Sequence, residues 1–321
     1  MKRTVFIFLI SIGAIILFLL IQFALKSNKA IAPNSEQASQ SINTDSLVNY
    51  GRSLISNTAY YFGPKGIIRP MSNGMNCQNC HLLAGTKPWG NSYLAVSTTY
   101  PRYRSRSASI ETISHRINDC FERSLNGISI DSNSKEMRAI VAYMAYIGRN
   151  EKKGTKPEDA GLTSLPYIRR AASPAIGKKI YITICSSCHG NNGGGLLDVK
   201  TGRFLYPPLW GDSSYNDGAG LFRLSKFAAF VKWNMPLGLS SHDTAVLSTE
   251  EAWDVAAFVN SQPRPHFDQK DDWRNVSEKP ADEPFGPYQD KFKESEHKYG
   301  PFAPIETARQ RSKRNNIKKA L

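Results

Sequence analysis

Two short stretches, Cys77-Gln-Asn-Cys80-His81 and Cys185-Ser-Ser-Cys188-His189, hold four of the chain's five cysteines. Each sets two thiols one helical turn apart and follows them with an imidazole. That is the attachment pattern for a c-type haem, in which the thiols add to the two vinyl groups and the histidine ligates the iron. Zinc takes ligand pairs that share one site, and neither stretch here needs the other. Two covalently bound c-type haems are therefore expected, one held by Cys77, Cys80 and His81 and one by Cys185, Cys188 and His189. Low-spin haem iron takes a second axial ligand. In the second half Met235, within Trp233-Asn-Met-Pro236, lies 46 residues beyond His189 and is the expected ligand. The first half has no methionine at the equivalent place, but 39 residues beyond His81 stands Cys120, the cysteine left without a mate.

The surroundings of Cys120 suggest a use for it. The pattern predicts a helix over Ser109–Leu125, ended at Asn126-Gly127 with the glycine in the left-handed cap position. On that helix Arg116 and Ser124 lie four residues either side of Cys120, so the three share one face. Ile113 and Ile117 continue the buried side. A sulfur, a guanidinium and a hydroxyl then point into one volume, which favours Cys120 as the distal ligand. Four alternatives stand beside this: a buried structural cysteine, an intermolecular disulfide, ligation by Met137 or Met144, and ligation by His115.

Several further elements must position these groups. Met1-Lys2-Arg3 precedes an uncharged apolar run from Thr4 to Leu25, which reads as an export signal retained as a membrane anchor or, if cut near Ala30-Ile-Ala32, lost from the mature protein. Either way the rest of the chain is expected on the periplasmic side of a bacterial inner membrane. Residues 1–30 are this segment and 31–44 a polar flexible tether. Residues 45–150 form a first haem unit, opening with a helix over Asp45–Ala59 and closing with one over Lys135–Arg149. A linker over 151–172 leads to a second unit, 173–265, with helices over Ala175–Ile184 and Ser248–Asn260. Ser248 and Glu251 fit a capping box on the closing helix. Residues 266–321 read as an irregular surface extension ending in a basic, solvated tail. The fold class is thus mainly α, and the order of motifs resembles two class I cytochrome c domains in tandem. The formal net charge of +14 suits anionic substrates, acidic proteins or anionic lipid, and no nucleic-acid motif is present.

Taken together, Cys77–Leu82, His115–Gly127, Tyr206–Gly211, Gly218-Ala-Gly220, Asn234-Met-Pro236, Ala252–Phe258 and Tyr299–Ile305 resemble the dihaem thiosulfate dehydrogenase family, over about residues 45–305. The resemblance implies an oxidoreductase that joins two thiosulfate ions into tetrathionate, in one direction or the other, and passes electrons to an external acceptor such as a soluble cytochrome or respiratory complex. It implies that the first haem, with His81 and Cys120 as axial ligands, is catalytic, and that Arg106, Arg116 and Ser124 line that site. Of the three arginines in Arg102-Tyr-Arg-Ser-Arg106 only Arg106 is assigned a role, the others being read as a solvated loop. Some family members have lysine before the ligating methionine, where this chain has Asn234. Two other readings are a membrane-tethered dihaem electron carrier without sulfur chemistry and a subunit of a larger sulfur-oxidising complex.

Overall fold

The computed structural model describes residues 35–320, and the surroundings of side chains over residues 45–312 and at 314. The expected signal or anchor over 1–30 lies outside the described residues, and among those described no helix is long and apolar enough to cross a membrane. The chain divides into two units, Met1–Ser46 and Leu47–Leu321.

The second unit holds two hydrophobic cores. The first core gathers Val48, Leu54 and Ile55 from helix α1 (Ser35–Ser56), Phe62 from α2 (Thr58–Phe62), Ile117 and Phe121 from α3 (Ile113–Arg123), and Met137, Ile140, Tyr143 and Met144 from α4 (Lys135–Ile147). Helix α1 starts at Ser35, inside the stretch expected to be a flexible tether, because no glycine or proline interrupts the chain between Ser35 and Gly51. Ser134 caps α4 by accepting a hydrogen bond from the Met137 amide at 3.1 Å. A two-stranded hairpin, β1 (Arg102–Arg104) against β2 (Ser109–Glu111), pairs antiparallel with Arg104 opposite Ser109.

The second core joins Tyr181, Trp210, Leu224, Phe227, Trp253 and Phe258. It is built on α5 (Pro174–Ile180), which runs into a single wide turn at Tyr181–Cys185, on α6 (Leu224–Asn234) and on α7 (Thr249–Asn260). The capping box of α7 forms as expected, the Ser248 amide donating to Glu251 and the Glu251 amide to Ser248 Oγ. The second half also contains an antiparallel hairpin of β3 (Leu196–Asp198) and β4 (Arg203–Tyr206).

Both cores rest on the same local device. A Cβ at Gly51 of α1 would lie 2.0 Å from the Ala139 carbonyl oxygen, and one at Gly177 of α5 would lie 1.9 Å from the Asp254 carbonyl oxygen. In each half the opening helix therefore crosses the closing helix at a glycine, backbone against backbone, with Tyr143 or Phe258 packed beside it.

The C-terminal extension is less irregular than expected. Residues 266–293 carry only a short 3-10 turn, but α8 (Glu294–Tyr299) and α9 (Phe302–Ala320) follow. The reason is burial: Phe302 and Ile305, one helical turn apart, enter the second core. His297 is wholly buried, with Nδ1 near the Ala281 carbonyl and Nε2 near Asp290.

Candidate functional site

Helix α3 is shorter than its sequence pattern. Thr112 accepts a hydrogen bond from the His115 amide and starts the helix at Ile113, while Ser109–Glu111 is drawn into the hairpin. Glu111, almost wholly buried, accepts from Ser107 at 2.7 Å and lies 3.7 Å from the Arg104 guanidinium, contacts that a helical Glu111 could not make. At the other end the left-handed residue is Asn126, with φ of 42°, and not Gly127. Gly127 is needed for a close approach, since a Cβ there would sit 2.2 Å from the Met71 carbonyl oxygen.

Cys120, Arg116, Ser124, Ile113 and Ile117 all face one cavity of about 760 Å³, and Cys77, Cys80 and His81 face the same cavity. Arg106 also lines it. The rivals of Cys120 divide. His115 is exposed and does not line the cavity, Met137 is packed in the core, and Met144 lines the cavity from α4.

His81 is held as an iron ligand would need to be. Its Nδ1 lies 2.6 Å from the Asn91 carbonyl oxygen, which can only accept, so the proton sits on Nδ1 and the Nε2 lone pair is free. Burial lowers its pKa to about 4, outweighing the carbonyl's opposite pull, with Arg116 adding to the fall. The ring stacks on buried Tyr93 at 4.4 Å. In the second half His189 repeats the arrangement, with Nδ1 2.8 Å from the Pro207 carbonyl and burial again favouring the neutral ring. A neutral imidazole with one free nitrogen behind a Cys-x-x-Cys pair, facing a cavity of ligand size, fits a covalently attached haem. Among the described residues no cluster of three histidines, cysteines or carboxylates is set to hold a metal ion.

The cavity is strongly cationic. Among the described residues five arginines, Arg102, Arg104, Arg106, Arg116 and Arg223, and two lysines, Lys156 and Lys226, line it against the single carboxylate of Glu278. Arg116 Nη1 lies 3.1 Å from Asp119, and its pKa is raised first by its electrostatic interaction with the nearby Cys120 and then, against burial, by Asp119. Arg106 donates to the Gly218 carbonyl at 2.9 Å, lies 3.9 Å from Asp272 and faces the Trp273 ring. Burial lowers its pKa to about 10, and Arg123 adds repulsion. Lys226 is half-buried, its pKa lowered by burial and then by Arg223 and Lys156. Arg102 and Arg104 both lie on strand β1 and line the cavity, Arg104 partly buried and Arg102 still exposed to solvent, so the solvated reading holds for Arg102 and not for Arg104. Arg223, Lys226 and Trp273 carry no signal in the sequence because they come from the start of α6, its capping residue included, and from the extension, far from either haem motif.

Met235 lies at the C-terminal end of α6, its amide bonded to the Val231 carbonyl. It packs with Cys185 against the second core. Its own carbonyl accepts from Ser240 Oγ at 2.7 Å.

Comparisons with known proteins fall along the same division. Residues 69–152 match the family described as the SoxA/TsdA cytochrome c domain. Residues 172–259 match the family described as subunit III of cbb3-type cytochrome c oxidase. A protein of Allochromatium vinosum named thiosulfate dehydrogenase is 36% identical over 223 residues, covering 68% of this chain and 78% of that one. Another of that name from Psychrobacter arcticus is 38% identical over 226 residues, covering 69% of this chain and 65% of its own length. The solved structure of the thiosulfate dehydrogenase TsdBA from Marichromatium purpuratum, in its as-isolated form, superposes with a TM-score of 0.64 at 31% identity, covering 70% of this chain and 47% of that one.

Proposed function

Because the chain belongs to the thiosulfate dehydrogenase family, we propose that it couples two thiosulfate ions into tetrathionate at the Cys120 cavity and passes the electrons through the second haem to an external acceptor. Two cytochrome c domains stand in tandem and carry two c-type haems. In this reading Cys77 and Cys80 would attach the first haem, with His81 and Cys120 to hold its iron, and Cys185 and Cys188 would attach the second, with His189 and Met235 to hold its iron. Bound there, the haems supply one-electron acceptors and an iron that can take a sulfur ligand.

The chain's own residues do the rest. Thiosulfate is a dianion, and two must approach one sulfur atom. Arg106 and Arg116 bind the sulfonate oxygens by paired, charge-assisted hydrogen bonds and screen their mutual repulsion, while the Ser124 hydroxyl donates a further bond. The Cys120 thiolate joins the outer sulfur of one thiosulfate, giving Cys–S–S–SO₃⁻ and releasing two electrons. The outer sulfur of the second thiosulfate then attacks the adduct's sulfur that is bonded to Cys120 Sγ and expels the Cys120 thiolate, forming tetrathionate. Run backwards, Cys120 attacks tetrathionate and thiosulfate leaves. The globular unit works on the periplasmic side, tethered by the apolar segment near its N-terminus or released from it.

The observation that carries this reading is the meeting of a lone cysteine, a Cys-x-x-Cys-His motif and seven cations around one cavity. Purified holoprotein assayed with thiosulfate and an artificial acceptor, and with tetrathionate and a reduced donor, tests it. Turnover should accompany a thiosulfate-mass adduct on Cys120 after tetrathionate treatment. Two intact haems with neither turnover nor adduct would reduce the protein to an electron carrier.

A further inference from the structure

A single turn of the first half touches the neighbourhoods of both irons. We propose that the turn Trp89–Asn91 is a positioning element for Met235, so that the haem ligand of the second domain is held in place by the first. This rests on reading His81 and Met235 as iron ligands.

The Asn91 carbonyl fixes the His81 ring. Two residues earlier the Trp89 carbonyl accepts a hydrogen bond at 3.2 Å from the side-chain amide of Asn234. Asn234 is 1% exposed and directly precedes Met235. The Trp89 ring stacks on His242 at 4.2 Å and 15°, and His242 packs against Trp233 at 5.0 Å. His242 belongs to the loop that follows Met235, and in that loop Ser240 bonds the Met235 carbonyl. Residues on both sides of Met235 therefore converge on one turn of the other domain.

The turn is itself stiff. Trp89 and Asn91 both hold left-handed backbone, with φ of 52° and 60°. Their amides donate to the Asp159 and Gly161 carbonyls of the linker, and the Gly90 carbonyl accepts from the Leu82 amide next to His81. Residues of this shape keep such angles only where the surroundings over-determine them. A thioether is a weak donor whose bond to iron depends on how firmly the loop around it is held. Asn234 supplies no competing amine, and it ties the ligand loop to the turn that orients His81.

The test uses the holoprotein and three variants, Trp89→Ala, Trp89→Phe and His242→Ala, with Met235→Gly as control. The readouts are the absorption band of methionine-ligated ferric haem, the potential of the second haem in a spectroelectrochemical titration, and the yield of the Cys120 adduct with tetrathionate. Trp89→Ala should weaken the band and lower the second potential, His242→Ala should do the same to a smaller extent, and Trp89→Phe should restore both. Adduct yield should stay at the wild-type level in His242→Ala and Trp89→Phe, which leave the Asn91 contact to His81 in place. Should Trp89→Ala fail to fold, His242→Ala carries the test, since its side chain lies half-exposed in a surface loop. A band lost in Met235→Gly but unchanged, with the potential, in Trp89→Ala and His242→Ala overturns the inference alone. A band that survives Met235→Gly removes Met235 as a ligand and the inference with it.

Discussion

The two halves of the molecule share a scaffold and differ in the wall that carries Cys120 or Met235. Each crosses its opening and closing helices at a glycine, and each orients a neutral histidine through a backbone carbonyl. In the first half that wall is α3 and the β1–β2 hairpin, which present Cys120, Arg116, Arg104 and Arg106 to a cavity. In the second it is the end of α6, where Met235 packs on a core containing Tyr181, Trp210 and Phe258, whose ring centroids lie 4.9 to 5.5 Å apart. A polar, cationic wall can bind anions and hold a thiolate, whereas a dry aromatic one favours a neutral thioether and excludes substrate. The difference in lining is what the proposed division between a reacting site and an electron-transfer site requires.

Exchanging the sulfur at the reacting wall should have the largest effect. Both Cys120→Gly and Cys120→Met should lower turnover by about 10³-fold or more, as expected when a covalent nucleophile is removed, with both haems still attached by mass. Methionine can ligate iron but cannot form the adduct, so substantial turnover by Cys120→Met would make the first wall merely a variant of the second. Next in size is Arg116→Lys, which keeps the charge but loses the two-pronged geometry. A fall in kcat/KM of about 10- to 100-fold is expected, equal to about 1.5–3 kcal/mol of charge-assisted hydrogen bonding. KM for thiosulfate should also rise with ionic strength; kinetics like the wild type in Arg116→Lys would place the anions elsewhere. In the second half Met235→Gly should abolish the methionine–iron band and slow electron exit while leaving the tetrathionate adduct on Cys120 at its usual yield. Loss of the adduct there would show that the two walls are not separable.

What the sequence disclosed depends on how local each signal is. The haem motifs, the capping box at Ser248 and Glu251, and the shared face of Arg116, Cys120 and Ser124 are set by neighbours within one helical turn, and they appear in the structure at the positions read. The hairpin that shortens α3 was not legible, because it depends on Glu111 reaching Arg104 across a turn and burying its carboxylate there. The extension likewise became helical through Phe302 and Ile305, whose partners lie more than 40 residues away in α7 and its surroundings. The cations Arg223 and Lys226 and the Trp89–His242 stack are contacts between halves, and no local pattern announces them. The duplication itself was only half visible. Gly51 precedes Cys77 by 26 residues while Gly177 precedes Cys185 by eight, so spacing alone hides that the two glycines are equivalent.

That equivalence leads to the smallest expected effect, one on stability and not on chemistry. Gly51→Ala and Gly177→Ala would each place a Cβ about 2 Å from a backbone carbonyl oxygen, far inside contact distance, so the crossing helices must separate. Overpacking of this kind costs roughly 1–3 kcal/mol, and the better helix propensity of alanine returns about 1 kcal/mol of it. The two sites should nevertheless not respond equally. Around Gly177 the closing helix is pinned: Asp254, whose carbonyl meets the new methyl group, is held by a two-pronged ion pair from Arg170 at 2.7 and 2.8 Å and by the Ser173 amide at 2.7 Å. Ser173 and Pro174 begin α5 itself, so α5 and α7 are tied together beside the crossing and cannot drift apart without loosening those bonds. At Gly51 the obstructing carbonyl belongs to Ala139, whose own side chain makes no such pair, and the tie beside that crossing is a single hydrogen bond from the Tyr50 hydroxyl to Glu136 at 2.9 Å, so α1 is held to α4 less firmly. Denaturant unfolding followed separately at each haem should therefore show a greater loss for Gly177→Ala than for Gly51→Ala. Equal losses would mean that the Arg170–Asp254 pair does not stiffen the second crossing, and a greater loss at Gly51 would reverse the order argued from the geometry.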